Sequence, residues 1–554
     1  MTTPGDTATP GDTATPGDTA TPAHLRTRAD LLVVGAGPTG LTAALEAAAH
    51  GASVRIVDRR LERWRPSRAM MLHSRALECL RPLGVTDDLL GRADTTPELR
   101  LHLGRRSLSV GLDQVELPDT AFPHLTLVRQ ADVEDVLCSA LLARGVEVEW
   151  GVELVGLTSS SGGNAVRARL RSPPGRPEEH HCVFVAGCDG QSSLVRHALG
   201  AQWRGAPYRV EAVLADLELD ADLDPGALHV AVGARGLTFL FALGEGTSWR
   251  MLATRPASTL SAGPFGQPGP AVPDDELGQL LAGSGLGATL RELRWSARVP
   301  LQHRIASTFR HGRLVVVGDA AHGHSPAGGQ GMNNGILDAV NLGWKLAFAD
   351  PEQPCDVLLD SYDQERRLAA RQVLALTHLL FFGEASPHPV ARWARGTLLP
   401  CSSPVLPLLV RRRRLMAAGV RLLAQPFVRY RHSPLSVDGA PGAGHWPRPG
   451  DRLPDQAVEV GGRPARLHDL TAMPGVHLLL EREAATNRVL VGRPGPAPRI
   501  HVHRLSSHAG TAVVGIRPDG YVGFRSGAGF RSGAGDAELV GWLRLVGALP
   551  EQTG

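Results

Sequence analysis

Ala29-Asp-Leu-Leu-Val-Val-Gly-Ala-Gly-Pro-Thr-Gly-Leu-Thr-Ala-Ala-Leu45 carries the clearest structural signal in this chain. An apolar run at 31–34 feeds Gly35, Gly37 and Gly40, and an Ala/Leu-rich helix follows to about His50, where Gly51 stops it. This is a G-x-G-x-x-G fingerprint in the strand-to-helix setting that gives it meaning. Gly35 permits the tight turn, Gly37 lets backbone approach a pyrophosphate, and Gly40 lets the helix that begins at Pro38 and Thr39 pack against the strand. The next predicted strand, 53–57, ends at Asp58 and Arg59, and Asp58 stands where an acidic residue bonds a ribose hydroxyl. A glycine-rich turn without a ligand would leave Asp58 unexplained.

A second device of the same kind lies far downstream. Arg313-Leu-Val-Val-Val-Gly-Asp319 leads into His322-Gly-His-Ser-Pro-Ala-Gly-Gly-Gln-Gly-Met-Asn-Asn-Gly335. A strand ending in Gly318-Asp319, then a glycine-dense turn opening a long helix, suits an anionic cofactor held at a helix N-terminus. The two devices have to meet in space. Between them, Leu127-Val-Arg-Gln130 opens a helical pattern that runs to Arg144, before a strand at 146–150. An apolar run at 182–186 then leads to Asp189 and Gly190, with Ser193 and Arg196 a turn beyond, so a carboxylate and a guanidinium can face one crevice.

The remainder bounds the protein. Its 554 residues, 43% hydrophobic, suffice for two or three domains with sizeable cores. The net charge is only +3, and Lys345 is the single lysine. Arg411-Arg-Arg-Arg414 is the one basic run and reads as a solvated helix face, since no second cluster or interleaved aromatics support nucleic acid or a membrane surface. Cys79, Cys138, Cys182, Cys188, Cys355 and Cys401 show no metal spacing and read as free thiols in a reducing cytoplasm; no metal site is expected. No apolar run approaches the roughly 20 residues that span a bilayer and no leader is evident, so a cytoplasmic location is expected. Thr-Pro-Gly-Asp-Thr-Ala, repeated from Thr3, Thr9 and Thr15, has nothing to bury and reads as a disordered tail over 1–27. The duplication at 524–535 reads as a lengthened loop.

Taken together, Gly35/Gly37/Gly40, the Asp189-Gly190 segment with Arg196, and Gly318-Asp319 with the Gly328-Gly-Gln-Gly-Met-Asn333 turn and the Asp338–Lys345 helix resemble the single-component FAD-dependent aromatic hydroxylases. The 4-hydroxybenzoate and phenol hydroxylases typify that family, and its bacterial polyketide-tailoring branch looks most similar. The resemblance covers about 30–380. It implies an α/β fold: a Rossmann-type (GR2-like) FAD-binding domain (28–207 and 301–380), an interleaved β-sheet substrate domain (208–300), a helical connector (381–440) and a thioredoxin-like α/β domain (441–554). That last domain has no cysteine for redox work, because none follows Cys401.

The resemblance also assigns roles. Gly35, Gly37, Gly40 and Asp58 would hold the ADP half of FAD, Arg75 and Gln130 would touch its pyrophosphate and ribityl region, and Asp319 would bind the ribityl chain. Asp189 and Arg196 would serve FAD and transient NADPH, with NADH as an alternative donor, there being no second Rossmann unit. The implied chemistry is reduction by NADPH, addition of O2 to give a C4a-hydroperoxyflavin, and transfer of its distal oxygen to an electron-rich aromatic carbon. Pro326, Gly329, Gly331, Met332 and Asn333 would lie against the flavin ring, the amides at 331–333 facing the charge that develops there. Arg68 matches an arginine region near the flavin. Where several relatives have Pro-Pro, this chain has Ser325-Pro326, which puts the local loop shape in doubt.

His322 and His324 read as bridges holding the cofactor loop rather than as bases. The alternating segments 237–241 and 249–254 read as strands of the substrate wall, with Phe239, Phe241, Trp249 and Arg250 as candidate substrate contacts. The expected partner is a small aromatic molecule, an aromatic polyketide or related phenol, and neither nucleic acid nor membrane; a homodimer is compatible. Epoxidation and Baeyer–Villiger insertion would use the same FAD motifs. An FAD-scaffolded non-redox cyclase and a non-catalytic interaction protein are the alternatives of other classes.

Overall fold

The computed structural model describes residues 28–63, 69–104, 106–111, 117, 119–159, 164–173, 175, 177–233, 236–242, 247–257, 268–352, 356–402, 404–410, 412–424, 428–439, 446–484, 499–526 and 534–550. The repeated tail, Arg68 and the second copy of the 524–535 duplication up to 533 lie outside them.

Leu31, Leu32 and Val33 are almost fully buried because their strand, Arg28–Val34, lies at the centre of a parallel sheet covered on both faces. Its neighbours are Pro177–Gly187 on one side and Val54–Asp58 on the other. Val148–Trp150 extends one edge, and Leu314–Val316 with Arg310–His311 extends the other. Val57, Val34, Gly187 and Val316 stand in register across four parallel strands. The residues that follow each of them, Asp58, Gly35, Asp189 and Asp319, therefore emerge along one edge of the sheet. That edge is the carboxyl end of a parallel sheet at the point where the strand order reverses, the usual place for a crevice. Helix Pro38–Ala49 packs there against helix Gln330–Phe348.

The second sheet runs in the order His322–Gly323, Thr289–Ala306, Trp203–Asp220, Trp249–Pro256, Gly236–Phe241, Ala227–Gly233, Glu98–Leu103, Arg106–Gly111. It exceeds the segment 208–300 in which the sequence places it. Glu98–Leu103 joins by parallel pairing with Ala227–Gly233, and Arg106–Gly111 pairs with it in turn. No local pattern announces this, because the partner strand is more than a hundred residues away. Helix Asp274–Ser284 closes the outer face, its Leu277 and Leu281 sharing one core with Leu240 and Met251 of the sheet.

A long helix, Asp356–Ala385, crosses the expected boundary at 380 and leads through short helices to Arg413–Ala424. The C-terminal sheet has the order Val437–Asp438, Val522–Arg525, Val513–Ile516, Val476–Leu480, Ile500–Arg504, so its first strand comes from the segment assigned to the connector. Helix Ala534–Leu545 covers it, and Trp542 and Leu543 share one core with Trp344 and Phe348 of the nucleotide-binding unit. A buried polar network crosses the same boundary. The Arg517 guanidinium donates to both oxygens of Glu365 (2.6 and 2.8 Å), which also accepts from Lys345 Nζ (2.9 Å). Asn341 Nδ2 donates to Asp519 (2.8 Å). Among the described residues no helix is long and apolar enough to cross a membrane.

Candidate active site

The crevice is shaped by what its glycines lack. Gly35 has φ +103°, and a Cβ on it would stand 2.4 Å from the Cys188 carbonyl oxygen. A Cβ on Gly40 would stand 1.8 Å from the Gly35 oxygen, so strand and helix meet backbone to backbone. At Gly37 nothing lies within 4 Å, leaving open space beside the amides that begin the helix. Asp58 faces this opening: one oxygen accepts from Ala36 N (2.7 Å), and the carboxylate also accepts from the Arg60 backbone and guanidinium. Asp189 Oδ2 accepts from Leu194 N (2.7 Å) and Val195 N (3.3 Å), while its buried Oδ1 has no partner among the described residues. Burial pushes this carboxyl above the ordinary range, against the pull of those amides.

Gly318 (φ +60°) turns the chain so that its N–H donates to Asp338 (3.0 Å) and Asp319 reaches the crevice. His322 donates to the same Asp338 oxygen across 2.7 Å, and Arg366 holds the other oxygen (2.6 Å). His322 is thus the buried loop bridge expected of it. Gly328 and Gly329 both take left-handed backbone and release helix Gln330–Phe348. Its first turn is tied down: Asn333 donates to Met71 O (2.9 Å) and Gly329 O (2.8 Å) and accepts from His73 N (2.8 Å). His73 bonds the Gly328 carbonyl, and burial lowers its pKa to about 4, so it stays neutral. Ser325 uses its hydroxyl to bind Thr377 O (3.2 Å), anchoring the loop to the long helix where Pro-Pro could not.

A single cavity of 1190 Å³ joins this crevice to the second sheet. Gly35, Gly37, Pro38, Thr39, Asp58, Arg59, Gln130, Asp189, Asp319, Pro326, Gly329, Gly331 and Met332 line its nucleotide side, and Phe239, Phe241 and Arg250 its sheet side. The expected residues among those described converge on it, except Gly40 and Gly318, which shape the backbone around it, and Arg75, Arg196, Trp249 and Asn333. Arg75 does not reach the crevice; it is buried under the C-terminal unit, donating to the Asp519 main-chain O (2.6 Å) and to the Glu78 carboxylate (3.0 Å), which balances its charge. Arg196 braces the loops, donating to Ala320 O and Gln191 O with its guanidinium over Trp203, instead of lining the cavity. Trp249 points into the core against His229, the alternation of its strand sending Arg250 the other way. Asn333 fastens the helix N-terminus and does not line the cavity. Arg250 does line it, but grips Asp216 through both oxygens (2.6 and 2.5 Å), which makes it a poor free ligand for substrate.

Sequence reasoning missed the third wall. Leu380, Phe381 and Glu384 of the long helix and Leu415, Met416 and Leu423 of the connector close the cavity, and Gln330 donates to Leu423 O (2.8 Å) to hold that wall in place. The apolar positions of these helices were legible, but not the side they face.

Residues 28–377 match the FAD binding domain family. The chain is 34% identical to 6-methylpretetramide 4-monooxygenase of Streptomyces rimosus over 74% of its own length and 72% of that protein. It is 31% identical to a flavin-dependent monooxygenase of Mycobacteroides abscessus over 89% and 96% of the two chains. The solved structure of OxyS anhydrotetracycline hydroxylase from S. rimosus superposes with a TM-score of 0.70 at 28% identity, covering 95% of this chain and 100% of that one. The chain therefore belongs to the FAD binding domain family and is an FAD-dependent monooxygenase, using O2 and an NAD(P)H donor.

Proposed function

We propose that this monooxygenase hydroxylates a polycyclic aromatic phenol of the polyketide type. The observation that carries the reading is the continuity of the cavity: one polar, glycine-walled end fits a dinucleotide, and it opens directly onto an apolar end walled by Leu214, Leu237, Phe239, Phe241, Leu252 and Phe381. An extended flat aromatic is the ligand that such a lobe desolvates best. The acceptors of the relatives named above, a pretetramide and an anhydrotetracycline, belong to that chemical class.

The residues present fit FAD. The space at Gly37 and the helix N-terminus behind it suit a pyrophosphate, Asp58 suits a ribose hydroxyl, and Asp319 with the unpartnered Asp189 Oδ1 suits the polyol chain. When bound, FAD supplies the reducing equivalents taken from NAD(P)H and the activation of O2. The protein supplies a field and a dry pocket. Amides at 331–333, at the positive end of a 19-residue helix, would stabilise negative charge that develops on the bound group. Asn333 and His73 keep that helix end fixed, so no reorganisation is needed when charge appears. Pro326 walls the substrate side. Arg68, outside the described residues, remains a candidate near the ring. The C-terminal unit reads as thioredoxin-like from its central strand order, in which Val476–Leu480 pairs parallel with Ile500–Arg504 and antiparallel with Val513–Ile516. A cytoplasmic location suits a reaction fed by NAD(P)H.

Incubating the holoenzyme with NADPH, labelled O2 and polyhydroxylated tricyclic or tetracyclic aromatics tests the reading by mass spectrometry. One labelled oxygen atom in the product is expected; product formed without label would point to the non-redox cyclase. Asp319→Ala and Asp189→Ala should each weaken FAD about tenfold, the worth of one hydrogen bond to a buried group, with the far-ultraviolet circular dichroism unchanged. Retention of full FAD through gel filtration by both variants would refute these assignments.

A further inference from the structure

The sheet wall of the cavity is apolar along its length but not at its ends. Strand Trp249–Pro256 presents Arg250, Leu252 and Thr254 to the cavity by simple alternation, placing Arg250 and Thr254 about 13 Å apart. Arg250 is already committed to Asp216. Thr254 is not: it is 8% exposed, and its hydroxyl has no partner among the described residues. Gly236 on the adjoining strand leaves room for one, since a Cβ there would stand 2.4 Å from Thr254 Oγ1 and 3.6 Å from the Glu384 carbonyl oxygen. The same glycine thus lies between the Thr254 hydroxyl and the Glu384 main chain, and both residues line the cavity, Glu384 from the last turn of the long helix. Glu384 is one turn, about 6 Å, beyond Leu380, whose side chain lies against the Gly328 turn.

Nothing among the described residues hydrogen-bonds or ion-pairs with the Glu384 carboxyl. Its surroundings are Leu380, Phe381 and the sheet wall, and burial alone pushes its pKa up to about 7. A carboxyl and a hydroxyl that line the same largely apolar lobe, each without a partner among the described residues, mark a site for polar atoms of a ligand, because leaving such groups unmatched against an apolar guest costs about 1–3 kcal/mol each.

We propose that Thr254 and Glu384 form a hydrogen-bonding subsite that takes a hydroxyl group of the aromatic substrate and so sets which ring edge enters beside the Gly328 turn. This deepens the aromatic-phenol reading above and rests on it. The phenolic O–H donates to one of the two side chains while its oxygen accepts from the other; a methyl ether can only accept and adds bulk. Gly236 is the third member, required for the space.

Dihydroxyanthraquinone and its dimethyl ether serve as probes, titrated into the FAD-loaded full chain and followed by the flavin absorbance and fluorescence. The wild type is expected to bind the dihydroxy probe about tenfold more tightly than the ether. Thr254→Val, which keeps shape and removes the hydroxyl, and Glu384→Leu should each erase that preference, whereas Glu384→Gln, which still donates and accepts, should keep most of it. FAD content and spectrum should be unchanged in all three, since none of these residues lies at the nucleotide end. Equal binding of both probes by the wild type, or a preference intact in both Thr254→Val and Glu384→Leu, overturns the subsite while leaving the aromatic reading standing. Binding of neither probe overturns the aromatic reading and the subsite with it.

Discussion

Gly40→Val is expected to give a protein that retains almost no FAD. Even the first atom of a side chain at this position would sit 1.8 Å from the Gly35 oxygen and 3.2 Å from Cys188 Cβ, and the helix cannot retreat, because its other side is packed on Gln330–Phe348. There Thr39 already fills the space left by Gly318 and Gly335. Separating strand from helix moves the amides beside Gly37, proposed above to face the pyrophosphate, by more than a hydrogen bond tolerates. The overpacking penalty alone, about 1–3 kcal/mol, equals roughly five- to 150-fold in affinity if it falls wholly on the bound state. Gly37→Ala is the control: its Cβ meets nothing within 4 Å, so the fold should hold, and any loss of FAD reports contact with the cofactor itself. Flavin absorbance after gel filtration reads both. A Gly40→Val protein purified with a full complement of FAD would show that the helix does not hold the nucleotide.

Glu365→Leu should be the most destabilising single change outside the crevice, by about 3–5 kcal/mol, because it strands two cations. Arg517 and Lys345 are fully buried and both donate to this carboxylate. Burial acts to raise the Glu365 pKa, but Arg517 and then Lys345 outweigh it and hold the carboxyl well below its ordinary 4.5. Lys345 is lowered to about 8, chiefly by burial and against the attraction of Glu365. The sign for the carboxylate is that of a depressed acid: between its folded pKa and 4.5 the unfolded chain binds the extra proton, so stability present above pH 4.5 is lost as the pH falls further. Asp338, lowered by Arg366 and His322 in excess of its own burial, adds to the same trend. Thermal unfolding of the wild type should therefore shift steeply downward with acid, and that of Glu365→Leu less steeply from a lower start. Replacing all three partners together by apolar residues should recover much of the loss. Equal thermal midpoints for wild type and Glu365→Leu at neutral pH would mean that the network contributes nothing to the union of the two units.

Local chemistry made half of the site legible. Gly35, Gly37 and Gly40 announce themselves because a turn, an open approach and a close packing can each be met by few residue types, and their spacing is set within one βα unit. Gly318-Asp319 and the turn at 328–333 are readable for the same reason, the signal being short-range backbone geometry. Burial of a charge by distant partners leaves no such trace. Arg75 looks like a phosphate ligand until Asp519 and Glu78 are seen to surround it, and Arg250 looks like a substrate ligand until Asp216 is found across the strand pair. Glu384 had no motif at all.

What the sequence by itself determined is the parallel nucleotide-binding unit, the two glycine devices and hence the cofactor, because these depend on residues a few positions apart. Only the tertiary structure decided which side chains face the cavity: Glu98–Leu103 entering the second sheet, the long helix bringing Glu384 to the cavity that Thr254 also lines, and the C-terminal unit drawing Arg75 away. Each depends on pairings between segments tens to hundreds of residues apart, whose registers are chosen by the packing of the whole chain and by no local preference.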